Sequence, residues 1–76
     1  MKRYDLRHLG NDFEPRMREL IESMSEGEVS IFLFEIGDFS PIQKSADVVK
    51  SLGAELLNSL KFNEVDWTIT VKKKGE

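Results

Sequence analysis

A chain of 76 residues that contains no cysteine must hold its fold together by packing an apolar core. No disulfide can tie it together, and no thiolate is available as a nucleophile or as a metal ligand. Hydrophobic residues make up 39% and charged residues 33%, which is typical of a globular domain and not of a disordered chain. We therefore expect one domain, residues 1–76.

The composition also argues against several classes of function. The longest apolar run, Ile31 to Phe34, is far shorter than the roughly 18 residues that a membrane helix needs. No apolar segment follows Met1 to Asp5, so we expect no secretory signal and a cytoplasmic protein. A net charge of −3 disfavours nucleic acid as a partner. With a single histidine, His8, we expect no metal, no cofactor and no histidine-based catalytic triad.

A first helix is predicted from Phe13 to Ser25 by apolar residues at helical spacing. The residues of this stripe are Met17, Leu20, Ile21 and Met24. Asp12 is a suitable N-cap, and Gly27 supplies the exit from the helix. Such a stripe is typical of a helix that lies on a sheet.

A second helix begins at Ser40-Pro41-Ile42-Gln43, which reads as a capping box with proline at the first helical position. It runs to Gly53. The following residues, 54–62, fit either a strand or a continuation of this helix, since a glycine inside a helix costs roughly 1 kcal/mol. The pattern of the residues leaves both alternatives open.

Strands are predicted over residues 3–9, 29–36 and 65–71, where apolar, β-branched and aromatic residues recur. The last of these alternates most regularly between apolar and polar residues. The second is apolar on both sides: Val29, Ile31 and Leu33 supply one face, and Phe32, Phe34 and Ile36 the other. A sheet covered by helices on one side needs only one apolar face.

The start of the chain resembles the TusA/SirA family of small sulfur carriers, in which Asp-Leu-Arg-x-Leu precedes Cys-Pro-x-Pro. The residues that carry the resemblance are Asp5, Leu6, Arg7, Leu9 and, after a one-residue insertion, Glu14-Pro15. Weaker likenesses follow at residues 24–28, 53–57 and 65–72. In this register Asp12 stands at the position of the family's cysteine and Phe13 at that of its first proline.

The resemblance implies a two-layer α/β sandwich, βαβαββ, with two helices on one face of a mixed four-stranded sheet. It favours a strand for residues 54–62. The family's cysteine carries a persulfide, which the carboxylate of Asp12 cannot do, so the family's sulfur transfer is missing here. Docking onto larger protein partners is the family property that remains.

We therefore expect a non-catalytic protein that acts through contact with a protein partner or with a second copy of itself. The first candidate site is the junction at Asp12 and Glu14. There, helix capping worth about 1 kcal/mol is the plainer interpretation, and ligand binding or help to a partner's thiol is the alternative.

The second candidate site comprises Phe32, Phe34 and Ile36, as contacts on an open sheet face. The plainer interpretation is that long flanking side chains or the loop at Asp38-Phe39 cover them. RNA binding by Lys72-Lys73-Lys74 is a further alternative. A solvated tail is the plainer interpretation of these lysines, because no aromatic residues are interleaved with them.

Overall fold

The computed structural model describes residues 1–37 and 40–74. Its elements, in chain order, are β1 (Lys2–Asp5), a 3-10 segment (Arg7–Asp12), α1 (Phe13–Ser23), β2 (Val29–Glu35), α2 (Ser40–Ser51), β3 (Glu55–Lys61) and β4 (Asp66–Lys72). The strands form one sheet in the order β1-β2-β4-β3, in which β1 and β2 are parallel and the other neighbours antiparallel. The predicted βαβαββ sandwich with a mixed four-stranded sheet is confirmed.

The first strand is shorter than predicted, because the chain turns away after Asp5. The Arg7 N–H donates to Asp5 Oδ1 at 3.0 Å, an aspartate turn that competes with strand pairing. The last link to the sheet is the Leu6 N–H, which donates to the Leu33 carbonyl at 2.7 Å. Residues 7–12 then form the 3-10 segment, where strand was expected as far as residue 9.

The first helix also ends earlier than predicted, at Ser23. Met24 is already extended, with φ −67° and ψ 145°, so the helix does not reach Ser25. Gly27 lies in the loop beyond, where its N–H donates to the Lys73 carbonyl at 2.8 Å. This bond ties the loop after α1 to the end of β4.

Gly53 ends the second helix and decides the ambiguous segment. Its φ is +69°, in the left-handed region that glycine adopts without strain. The Gly53 N–H donates to the Lys50 carbonyl, and the Ala54 N–H reaches back to the Val49 carbonyl, both at 3.1 Å. These two bonds are the Schellman motif, which closes a helix. The chain therefore leaves α2 and forms β3, as the resemblance favoured.

The core lies between the two helices and one face of the sheet. Its fully buried apolar side chains are Phe13, Met17, Ile21, Phe32, Phe34, Val48, Val49, Ile69 and Val71. Two pairs of stacked rings join the layers: Phe13 on Phe34, with centroids 4.7 Å apart, and Tyr4 on Phe32, at 5.3 Å. Neither helix of the described residues is long and apolar enough to span a membrane.

Candidate binding surface

Asp12 stands directly before α1, as predicted, but its side chain makes no capping hydrogen bond. Its φ of −90° and ψ of 14° are close to helical values. A capping side chain folds back onto its helix from a residue with extended backbone, and here the 3-10 segment runs directly into α1. The predicted hydrogen-bonded cap is therefore wrong, and the carboxylate of Asp12 is exposed.

Glu14 lies in the first turn of α1 and is half-buried. It shares a shallow, open cleft with Asp12 and with Asn11, Pro15, Arg18, Glu19 and Glu22. Four of these side chains are acidic and one is basic, so the cleft does not attract anions. No group of three or more His, Asp or Glu residues within the described ranges is placed to hold a metal ion.

Arg7 does not join Asp12 and Glu14 but forms a bridge between two strands. Its Nη2 lies 2.7 Å from Asp5 Oδ2 and its Nε 3.0 Å from Asp5 Oδ1, a two-pronged contact at the end of β1. Its Nη1 lies 3.3 Å from Asp66 Oδ2 at the start of β4. With one carboxylate on each side, the guanidinium is engaged within the fold.

The bridge changes the acidity of Asp5. The hydrogen bonds from the side chain and the backbone N–H of Arg7 lower the pKa of Asp5 from 3.8 to about 2. The same contacts, to Asp5 first and to Asp66 second, raise the pKa of Arg7. The far carboxylate, on Asp66, is buried and also accepts from Asn63 Nδ2 at 2.8 Å, so it is satisfied in place.

Three of the predicted contact residues, Phe32, Phe34 and Ile36, belong to the buried side of β2 and not to its open face. Phe32 and Phe34 are 0% exposed and Ile36 is 9% exposed. Their side is covered by the helices, since Phe34 stacks on Phe13 of α1. In the folded chain they stabilise the core and are not available to a partner. The loop that was the alternative cover for them, Asp38-Phe39, lies outside the described residues.

The open face of the sheet is formed by the other side of β2 and its neighbours. Ile31 and Leu33 lie at its centre and are half-buried, and in register beside them on β4 are Thr70 and Thr68. A groove of about 480 Å³ runs over this face. It is lined by Arg3, Tyr4, Asp5, Ile31, Leu33, Asn58, Leu60, Phe62, Thr68 and Thr70. We call it the open-face groove.

Apart from Met1, the large hydrophobic side chains that are exposed among the described residues lie on β3 and the turn after it. They are Leu56, Leu57, Leu60, Phe62 and Val65. Leu60 and Phe62, at 57% and 58% exposure, form one wall of the open-face groove. The apolar surface of the described residues is thus concentrated on one side of the sheet and along its β3 edge.

Sequence reasoning missed these groove residues, although a signal for them was present. Trp67, Ile69 and Val71 alternate with threonines along β4, so their side must face the helices. Paired residues share a face, and Phe32 pairs with Ile69. The side of β2 that carries Ile31 and Leu33 is then the open one.

The three lysines expected to form a solvated tail are partly built into the fold. Lys72 is the last residue of β4. The Lys73 N–H donates to the Glu28 carbonyl at 2.9 Å, and its Nζ donates to the Ile21 carbonyl at 3.3 Å. This lysine caps the end of α1, where a cation is favourable, and so is not presented outward for RNA.

Comparison with known proteins adds a family. The chain is similar over 99% of its length to all of HP1264 from Helicobacter pylori, whose solution structure superimposes with a TM-score of 0.69 at 60% sequence identity. No curated protein matches the sequence. Neither finding concerns sulfur carriers, so the TusA/SirA likeness remains a resemblance. A family model matches residues 1–73, and the protein belongs to that family, described as the E subunit of a "putative NADH-ubiquinone oxidoreductase".

Proposed function

We propose that the protein is a non-catalytic cytoplasmic subunit that docks onto a partner protein of an NADH-ubiquinone oxidoreductase assembly. The kind of assembly is suggested by the description of its family. The docking role is supported by the open-face groove, which no other part of the described residues covers. The proposal does not depend on the TusA/SirA resemblance.

The groove has the composition expected of a docking surface. Its floor is aliphatic, with Ile31 and Leu33, and its wall includes Leu60 and Phe62. Burying one such side chain fully is worth about 1.5–3 kcal/mol. An apolar patch with a polar and charged rim, here Arg3 and others, is typical of a site that binds another protein.

A catalytic role has less support from the side chains. His8 is the single histidine of the sequence, and the exposed carboxylate of Asp12 has no general-acid partner of another residue type within its cleft except Arg18. The half-buried Glu14 lies in the same acidic surroundings. No observation favours ligand binding there over the docking role.

The test is co-purification of the tagged protein with oxidoreductase subunits from its native cells. Thr70→Arg places a charged side chain in the middle of the open-face groove. Ser23→Arg introduces the same side chain at the exposed end of α1, on the opposite layer. We expect oxidoreductase subunits to co-purify with the wild type and Ser23→Arg but not with Thr70→Arg. Failure to recover any such subunit, or equal recovery with both variants, contradicts the proposal.

A further inference from the structure

The two outer edges of the sheet differ in how well they are protected. β1 is four residues long and carries Lys2, Arg3 and Asp5, the short and charged type of edge that resists pairing. β3 is seven residues long and exposes leucines. Unprotected edges recruit further strands, so β3 is the edge that is suited to pairing.

The hairpin geometry shows which backbone groups of β3 point outward. The Phe62 N–H donates to the Asp66 carbonyl at 3.1 Å, and the Leu60 carbonyl accepts from Thr68 Oγ1 at 3.2 Å, so both residues turn towards β4. Backbone groups alternate in direction along an antiparallel strand. Ser59 and Lys61 therefore present their N–H and C=O groups at the outer edge.

An irregularity limits the length of edge that can pair. The register between β3 and β4 shifts between Leu56 and Asn58, which leaves Leu57 as an extra residue. Such a bulge interrupts the row of outward groups. The regular part of the edge is the short stretch from Asn58 to Phe62.

We propose that this stretch pairs antiparallel with the same stretch of a second copy, about a two-fold axis at Leu60. Ser59 of each copy then exchanges backbone hydrogen bonds with Lys61 of the other, and Leu60 lies opposite Leu60. On the same face Phe62 lies opposite Asn58. The arrangement joins outward groups to outward groups, packs leucine on leucine and opposes no like charges.

The neighbouring registers are worse for stated reasons. An axis at Lys61 sets two lysines directly opposite each other, which is destabilising. An axis at Ser59 sets Lys61 opposite Leu57, where the bulge has displaced the backbone. A second copy fits the edge because one symmetric register satisfies both its hydrogen bonds and its side chains.

The pairing is short, so the dimer is a weak one that forms as concentration rises. It does not compete with the proposed function, because it uses groups in the plane of the sheet and leaves the open-face groove accessible. The two-fold axis stands perpendicular to the sheet. Both grooves therefore face the same side of one eight-stranded sheet.

Because the sequence has no cysteine, single cysteines report the register directly. Leu60→Cys places two thiols opposite each other, with Cα atoms about 4.5 Å apart, within the range for a disulfide. Phe62→Cys is the matched control, since its side chain is as exposed as that of Leu60. Across the axis its two copies lie about 14 Å apart, given a rise of about 3.4 Å per residue.

Under mild oxidation we expect Leu60→Cys to form disulfide dimers at least about tenfold faster than Phe62→Cys. Sedimentation of the unmodified protein should show a mass that rises from 8.8 kDa towards twice that value with concentration. Equal rates for the two variants, faster dimers from Ser59→Cys or Lys61→Cys, or a constant monomeric mass overturns the proposal.

Adding Thr70→Arg to Leu60→Cys separates this inference from the proposed function. The edge pairing predicts an unchanged disulfide rate, because Thr70 lies on the sheet face and not at its edge. A rate that falls with Thr70→Arg means that copies associate through the open-face groove, which contradicts edge pairing. Loss of the oxidoreductase interaction alone leaves the disulfide result intact.

Discussion

Arg7 Nη1 lies 3.3 Å from Asp66 Oδ2, a contact between residues 59 positions apart in the sequence. Arg7 follows β1, at one edge of the sheet, and Asp66 begins β4, with β2 lying between them. The contact therefore links three strands at the end of the sheet that carries the β3–β4 turn. Because Asp66 also binds Asn63, the same carboxylate holds the turn in place.

Removing the carboxylate of Asp66 should weaken the fold measurably. Asp66→Ala takes away the acceptor for Asn63 Nδ2 and for Arg7, and a lost hydrogen bond to a charged group costs about 1.5–3 kcal/mol. We expect the free energy of unfolding, measured in urea, to fall by that amount. Glu19→Ala is the control: it removes an exposed partner of Arg16 at 2.7 Å and should cost less than about 0.5 kcal/mol. Equal effects would show that the bridge does not stabilise the fold.

The lowered pKa of Asp5 predicts a specific acid dependence of stability. In the unfolded chain this carboxyl has its ordinary pKa near 3.8, and in the folded chain the pKa is about 2. Between these values the unfolded state binds more protons, so stability rises with pH across this window. The contribution is complete above pH 3.8 and is lost as pH falls towards 2.

Asp5→Asn should remove this part of the pH dependence. We expect urea midpoints of the wild type and Asp5→Asn to converge as the pH is lowered through the window and to differ most above it. A carbon-detected NMR titration of the Asp5 carboxyl group measures the folded pKa itself. A titration midpoint near 3.8 would show that Arg7 does not hold the carboxylate.

The buried side of β2 predicts that Phe34 is a stability residue. Phe34→Ala removes a ring that is fully buried and stacked on Phe13, and a change of this kind costs about 3–5 kcal/mol. Phe62→Ala, at 58% exposure, should change the free energy of unfolding by less than about 0.5 kcal/mol. Thermal and urea unfolding of both variants check this. A Phe34 variant of wild-type stability would place the ring outside the core.

Gly53 should be sensitive to the backbone conformation that a substitute can adopt. A non-glycine residue at φ +69° pays about 1–2 kcal/mol, so Gly53→Ala should destabilise the fold by about this amount. Gly53→Asn should cost less, because asparagine tolerates the left-handed region. No side chain crowds this position, so steric clash does not confuse the comparison. If alanine and asparagine cost the same, left-handed strain is not the cause.

The fold was predictable because its determinants are local. The stripe through Met17, Leu20 and Ile21 and the alternation along β4 each identify an element by its period. The segment after Gly53 was harder to predict. There the helical and strand spacings coincide, and the decision depends on a glycine conformation that only the folded backbone shows.

The candidate surface was less predictable, because it depends on which elements become neighbours. β2 is apolar on both sides, so its own pattern cannot say which side the helices cover. The exposure of Leu60 follows from the position of β3 at the edge of the sheet, which is set by the connections between strands. The partnership of Arg7 with Asp66 likewise exists only once β1 and β4 flank β2.

The most direct test of docking through the open-face groove is site-specific photo-crosslinking in the native cells. A photoreactive residue at position 70 lies in the groove, and one at position 23 lies at the exposed end of α1. We predict crosslinks from position 70 to a subunit of the NADH-ubiquinone oxidoreductase and none from position 23. Crosslinks from position 23 alone, or no oxidoreductase subunit at position 70, would contradict the account.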